Sequence, residues 1–391
     1  MSGNQRPGVI SRGIKTPIIQ PGDDLVSIVV DSIVATVGED GIQENDAIGV
    51  TEAVKAISEG NIVTQDDIVK DLRRKYAGAS SIVVLDPIQS RNRFMAILKA
   101  ISAVPEFKRI YVVMSYPTDE VGNRLVSDEV IMESGVNPYS DILSEEEFYK
   151  KLGVPCHPFT GKNYMAMYKE ICGDRGQIIM CNDYTKIPAI CGDILVCNIH
   201  KRDLIKKALL KNGASRVLDM SEIMNESVDG SGYNAQFGLY GSNIQKGDKL
   251  KLMPRDCQEF VEEIQRQFYV RFGVHVEAFV FGDGAFKDPV GGIWELADPT
   301  TTLAFTEGLK GTPEEVKLKY IASEHEDKTP EEIEQIVAQE KAARKKAKDI
   351  SEAASLGTTP RQITDLLASL ADLTTGSGDR QTPVVLIQNY L

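Results

Sequence analysis

Between Thr64 and Met224 short apolar runs alternate with amphipathic stretches, and this narrows the possible folds more than any other feature of the chain. Ser81–Leu85 and Arg109–Ser115 read as apolar strands, with a helix over Arg91–Ala103 between them. Gln177–Cys181 and Ile194–Ile199 repeat the strand signal, and Tyr164–Ile171 and Lys201–Lys211 repeat the helical one. Asn212-Gly213 offers a helix stop before a strand over Arg216–Leu218. Strands that alternate with helices need crossover connections, which favour parallel pairing. The fold class is therefore α/β. No glycine-rich dinucleotide fingerprint and no Walker P-loop follows any of these strands, which disfavours an oxidoreductase built on this region. Asp86-Pro87 and Ser115-Tyr116-Pro117 fall at strand ends, where open α/β sheets place ligands, and both are candidate ligand positions.

A second strand is written downstream. Val274, Val276, Ala278 and Val280 alternate with His275, Glu277, Phe279 and Phe281 at the period of a strand. That strand delivers Asp283 into the loop Gly282-Asp283-Gly284-Ala285, which runs on to Pro299. Asp283, Asp288, Glu295 and Asp298 crowd this loop together with Lys287 and the only tryptophan, Trp294. Clustered carboxylates beside glycines suit a hard divalent cation such as magnesium. A plain Asp-Gly turn followed by a proline-terminated loop is the competing reading.

The first dozen residues read as a loose polar tail. Pro21-Gly22 marks a turn, and Asp23-Asp24 opens a helix over Leu25–Val37 whose apolar face carries Leu25, Ile28, Val29, Ile33 and Val34. Thr312-Pro313-Glu314-Glu315, Thr329-Pro330-Glu331-Glu332 and Thr359-Pro360-Arg361-Gln362 share a capping threonine followed by proline, and predict a helical run over 312–370. The basic patch Lys341–Lys348 suits a helix C-terminus facing solvent. Gly376-Ser377-Gly378-Asp379 either presents backbone N–H groups to an anion or is a plain turn before the apolar strand Val384–Ile387.

A net charge of −13 argues against a general nucleic-acid binder. No window approaches the ~18 to 20 apolar residues of a membrane span, and the N-terminus lacks the apolar core of a secretory signal. The expectation is a cytoplasmic protein that binds neither nucleic acid nor membrane. The six cysteines contain no Cys-x-x-Cys pair. Cys156-His157 is a possible ligand corner, but the six are read as reduced, buried thiols.

Five stretches, in order, resemble the γ-glutamyl ligases of deazaflavin coenzyme biosynthesis. They are Thr16–Leu25, Glu44–Ile48 through Ser58-Glu59-Gly60, Asn234-Ala235 through Gly241-Ser242-Asn243, Val280–Asp283, and Gly376–Asp379 with Thr382-Pro383-Val384. Four positions depart from the family pattern. Tyr240 stands where an aspartate is expected, Ile57 for a lysine, Asn61 for an arginine and Ser377 for a glutamate. Lost carboxylates weaken a metal site, and lost cations remove phosphate neutralisation.

The resemblance implies a mixed α+β ligase-like core in two parts, residues 1–62 and 229–391, split by an inserted α/β region over 63–228. It implies a nucleotide- and metal-dependent amide ligase that adds L-glutamate or another amino acid to a small-molecule, cofactor-like acid. GTP or ATP would be the co-substrate, Mg2+ or Mn2+ the metal, and the assembly a homodimer. Asp283 and Lys287 are the implied catalytic residues, with Asp283, Asp288 and Glu295 as metal ligands. Lys55, Glu59, Gly60, Asn234, Ser242, Asn243, Gly376, Ser377, Gly378 and Asp379 are the implied nucleotide- and substrate-binding residues. The four departures also support a second reading, a relative that keeps the fold and only binds a nucleotide or pterin-like ligand.

Overall fold

The structure is a computed structural model that describes residues 8–120, 122–158, 160–282, 286–287, 294–295, 300–313, 318–344, 362–375 and 381–391. The chain opens with β1 (Ile10–Ile14), α1 (Leu25–Val37), β2 (Ala47–Thr51), α2 (Glu52–Ser58), β3 (Ile62–Thr64) and α3 (Gln65–Lys75). The middle runs through β4 (Ser81–Leu85), α4 (Phe94–Ala103), β5 (Arg109–Met114), α5 (Asp128–Ser134), β6 (Leu143–Ser144) and α6 (Glu145–Leu152). It continues with α7 (Tyr164–Cys172), β7 (Gly176–Met180), β8 (Asp193–Val196), α8 (Arg202–Lys211) and β9 (Arg216–Asp219). Next come β10 (Asn243–Lys246), β11 (Lys249–Lys251), α9 (Cys257–Phe272), β12 (Glu277–Phe281), β13 (Phe286–Lys287) and β14 (Trp294–Glu295). The chain closes with β15 (Thr302–Phe305), α10 (Leu318–Glu324), α11 (Pro330–Arg344), α12 (Ile363–Thr375) and β16 (Val384–Gln388). The architecture is mixed α+β.

The two ends of the chain build one five-stranded sheet in the order β1-β16-β2-β12-β15. Only β2 and β12 pair in parallel; the other pairs are antiparallel. The alternation in β12 is explained by a sheet covered on both faces. Ala278 and Val280 pack with Val29, Ile33, Val261 and Ile264 of α1 and α9. Phe279 and Phe281 face the other way, against Leu367, Ala368 and Ala371 of α12. Gly49 on β2 has no side chain for a spatial reason: a Cβ there would stand 2.6 Å from the Phe279 ring.

Residues 81–219 build the second large sheet, ordered β6-β7-β5-β4-β8-β9 and parallel except at β6. Its central strands are apolar on both faces because helices cover both. Ile82, Val84, Ile110 and Val112 pack with α3, α4 and α7, whereas Val83, Leu85 and Val113 pack with Ile205 and Leu209 of α8. A small antiparallel sheet, β10-β11-β3, completes the frame.

The helix Leu25–Val37 and the strand Ser81–Leu85 form with the bounds read from the sequence. Asp24 is the N-cap of α1, its carboxylate accepting from Ser27 N at 3.2 Å, and no acidic residue lies in the first turn. Thr329 and Glu332 close a reciprocal cap at 2.9 and 3.3 Å before α11. Glu314, Glu315 and Thr359–Arg361 lie outside the described residues. The polar tail is corrected: Ile10–Ile14 is an edge strand, bonded to β16 from Ile10↔Gln388 to Ile14↔Val384. The cysteine reading is corrected in part, since all six are free thiols but Cys156 is exposed. Its neighbour His157 is buried and faces Asp119 at 3.4 Å.

Asp71 ties α3 to the chain that leaves the six-stranded sheet. Fully buried, it accepts from Lys75 Nζ at 2.7 Å, Arg74 Nη2 at 2.6 Å and the backbone N–H of Met224 at 2.7 Å. Removing it would strand the buried Met224 N–H and leave the mostly buried Lys75 ammonium with neutral acceptors only, Glu222 O and Asn225 Oδ1. Asp71→Ala is expected to lose about 3 kcal/mol in urea unfolding, whereas Asp229→Ala, at an exposed pair, is expected to lose under about 1 kcal/mol.

Candidate functional site

The parallel register of β2 and β12 places Thr51 opposite Phe281, so both strands end on the same side and Gly282 follows there. The start of β16 arrives at the same edge, where Thr51 N donates to Pro383 O at 2.9 Å. Thr16 N donates to Gln381 O at 3.3 Å, and Gly22 N donates to Ser58 O at 2.8 Å. Four of the five resembling stretches therefore meet at one end of the five-stranded sheet. A cavity of about 300 Å³ opens there, lined among others by Ile18, Thr51, Val54, Ile57, Gln381 and Pro383.

Beside this cavity α2 carries a buried array of charge. Lys55 Nζ donates to Glu59 Oε1, and the ammonium sits 5.3 Å from the Phe260 ring centroid. Glu52, one turn earlier, accepts from Lys251 of β11 at 2.6 Å, with both side chains buried. Glu59 also accepts from Arg255 N at 2.8 Å. The Arg255 guanidinium donates to Asn61 Oδ1 at 2.9 Å and stacks 4.8 Å from the Tyr233 ring. Asn61, where the resemblance calls for an arginine, is fully buried and donates to Met253 O at 2.7 Å. A guanidinium, that of Arg255, therefore lies against Asn61. Burial pushes the nearby Cys257 thiol up to about 12, leaving it a neutral packing group.

Asn234 spends its whole polar capacity on the backbone. It donates to Met253 O and Pro254 O at 3.1 and 2.9 Å, and accepts from Gln236 N and Phe237 N at 3.0 and 2.8 Å. This shapes the loop and leaves nothing on that side chain for a substrate. Gly238 turns the same loop with φ +53°, where a Cβ would stand 2.4 Å from Met220 O. Tyr240, at the position of the expected aspartate, is buried and donates to Asn198 O at 3.0 Å, tying this loop to the end of β8. Ser242 is 2% exposed, and its hydroxyl has no hydrogen-bond partner. Asn243 opens β10 opposite Lys251, and Gly60 takes φ +64° beside Pro21.

Asp283, Asp288, Asp298, Gly376, Ser377, Gly378 and Asp379 lie outside the described residues. Lys287 and Glu295 are placed by their backbone in the hairpin β13–β14, with Lys287 opposite Trp294 and Phe286 opposite Glu295. Among the described residues no group of three His, Cys, Asp or Glu side chains is arranged to hold a metal ion. Glu52, Lys251 and Arg255 are the members of the array that sequence reading passed over. The alternation Lys249-Leu250-Lys251 gave no signal, since it puts Lys251 on the face of the exposed Lys249, yet Lys251 is buried along with Leu250.

The sequence matches the family model of F420-0:gamma-glutamyl ligase over residues 13–389, and the chain belongs to that family. The matched span brackets the six-stranded sheet as well as the five-stranded one. A search of curated proteins finds no match. Among the described residues no helix is long and apolar enough to cross a membrane.

The Glu52–Lys251 pair yields a clear expectation, because breaking a buried pair costs more than replacing it whole. Lys251→Ala is expected to destabilise by about 3 kcal/mol or more, while the double variant Glu52→Leu with Lys251→Met falls within about 1 kcal/mol of wild type. Chemical denaturation of the two single variants and the double variant measures the coupling.

Proposed function

We propose that this chain is a nucleotide- and divalent-metal-dependent amide ligase that adds L-glutamate, or another amino acid, to a cofactor-like acid. The observation that carries the proposal is the meeting of the Thr16–Leu25 stretch, the end of β2, the end of β12 and the start of β16 at one end of the five-stranded sheet, where Thr16, Thr51 and Pro383 line a cavity. Membership of the family supports reading this arrangement as a ligase site.

In this reading the acceptor acid attacks the γ-phosphoryl group of GTP or ATP, forming an acyl phosphate, and the amine of glutamate then displaces phosphate. A divalent metal would supply charge neutralisation at the γ-phosphoryl oxygens. Asp283 is its proposed ligand, helped by Asp288 or Glu295, and Lys287 is proposed to act on the same phosphate. Lys55, bonded through its ammonium to Glu59, and Arg255, whose backbone N–H bonds to the same carboxylate, are proposed to balance phosphate charge. Val54 and Ile57 give the cavity a half-buried apolar wall, and Ile18 at its rim is exposed. The active assembly is proposed to be a homodimer in the cytoplasm.

One observation favours the alternative, a binding protein without turnover. Lys55 and Lys251 are already paired with carboxylates, and Tyr240 has taken the place of a carboxylate for packing. Calorimetry separates the readings. Titration of GTP and of ATP with magnesium or manganese is expected to give saturable heat that vanishes without metal and in Asp283→Asn. Nucleotide binding that needs no metal and survives Asp283→Asn supports the alternative, and no heat at saturating nucleotide rules out the ligase reading and leaves only a relative that binds a pterin-like ligand.

A further inference from the structure

The helix α2 has two unlike faces, and the cavity at the end of the five-stranded sheet meets only one of them. At about 100° per residue, Glu52, Lys55 and Glu59 fall on one side, where they meet Lys251, the Phe260 ring and the backbone of Arg255. Ala53, Val54 and Ile57 fall on the other side and line the cavity. Pro17, Ile18, Ile19 and Pro383 add to the same apolar lining. None of the described residues around the cavity is charged. Ile57 stands where the family resemblance expects a lysine, so hydrocarbon replaces a cation on this face.

Three polar side chains line the cavity as well, Thr16, Thr51 and Gln381. The Thr16 hydroxyl donates to Pro17 O at 2.9 Å, so its proton is already used. Thr51 occupies the N-cap position of α2, yet its hydroxyl makes no capping hydrogen bond. A threonine at that position ordinarily accepts from a backbone N–H of the first turn. Here the hydroxyl is left for the cavity instead. Gln381 is exposed and brings its amide to the rim.

The chemistry of an occupant follows from this lining. At about 300 Å³ the cavity lies at the small end of ligand pockets, which run from roughly 300 to 1,000 Å³, so it suits one part of a larger molecule. An anion set against apolar side chains with no cation to pair with is strongly disfavoured. That excludes the phosphates of a nucleotide and the carboxylates of glutamate. A nucleobase carries several donors and acceptors around its edge, and the Thr51 hydroxyl and Gln381 amide are too few to match them. Of the reactants in the ligase reading, the acceptor is the one left to supply an uncharged, mainly hydrocarbon ring.

We propose that this cavity holds an uncharged ring of the acceptor, with a ring face against Val54 and Ile57 and a polar edge toward the Thr51 hydroxyl, and that it excludes phosphate. The proposal rests on the ligase reading for the acceptor alone. Ring binding needs neither nucleotide nor turnover, so the two fail separately.

The test uses the full chain, with 2-naphthol and lumichrome as neutral ring probes and guanosine, adenosine and pyrophosphate as comparators. Calorimetry follows binding to wild type, Ile57→Lys and Thr51→Val, and melting temperature confirms that each variant is folded. At least one ring probe is expected to bind wild type saturably, at least tenfold more weakly in Ile57→Lys and at least threefold more weakly in Thr51→Val. If Ile57→Lys melts early, Val54→Thr takes its place, with at least threefold weakening expected. The proposal is overturned if neither ring saturates, or if the folded variants bind the ring as wild type does. It is equally overturned if pyrophosphate displaces the ring, or if a nucleoside displaces it at equal affinity, which would make the cavity a nucleobase site. Ring binding without nucleotide heat supports the cavity assignment and sinks the ligase reading; nucleotide heat without ring binding does the reverse.

Discussion

The parallel pairing of β2 with β12 is the constraint on which the rest of the candidate site depends. A parallel pair ends both strands on one side of a sheet, and here that puts Thr51 beside the residue that leads into Gly282. β16 runs antiparallel along the other edge of β2, so its beginning falls at the same end. Segments from opposite ends of the sequence thereby share one cavity. The register tolerates little change, because the Phe279 ring occupies the space that a side chain at Gly49 would need.

A second layer of organisation is electrostatic. Glu52 of α2 is matched by Lys251 of β11, while Glu59 is matched by Lys55 of the same helix and accepts the backbone N–H of Arg255. These contacts hold the small sheet and the segment before α9 against α2. The Arg255 guanidinium donates to Asn61, and the Tyr240 phenol ties its loop to the six-stranded sheet.

Local pattern made much of this fold legible in the sequence, and long-range pairing hid the rest. The helix Leu25–Val37 showed itself through an apolar face, and β4 and β5 through apolar runs that only a sheet buried on both faces requires. Ile10–Ile14 had no such pattern, since Ser11, Arg12 and Gly13 neither alternate nor repeat; its strand conformation comes from β16 at the far end of the chain. The same is true of the charge array. Lys251 lies 199 residues from Glu52, and the backbone N–H of Arg255 lies 196 residues from the Glu59 that it serves. The family motifs singled out Lys55, Glu59 and Gly60, which lie in and directly after α2. They did not show that Asn234 is saturated by backbone hydrogen bonds, because a motif names a residue and not its partners.

The central claim is that the end of the five-stranded sheet where β2, β12 and β16 meet is the site of glutamyl transfer. The most direct measurement is mass spectrometry of the F420-0 acceptor after incubation with L-glutamate, GTP and manganese. The account predicts an acceptor carrying an added glutamyl group, with one GDP formed for each group added, and no product when Lys55→Ala replaces wild type. A folded wild-type protein that leaves the acceptor unchanged, with GTP intact, would contradict it.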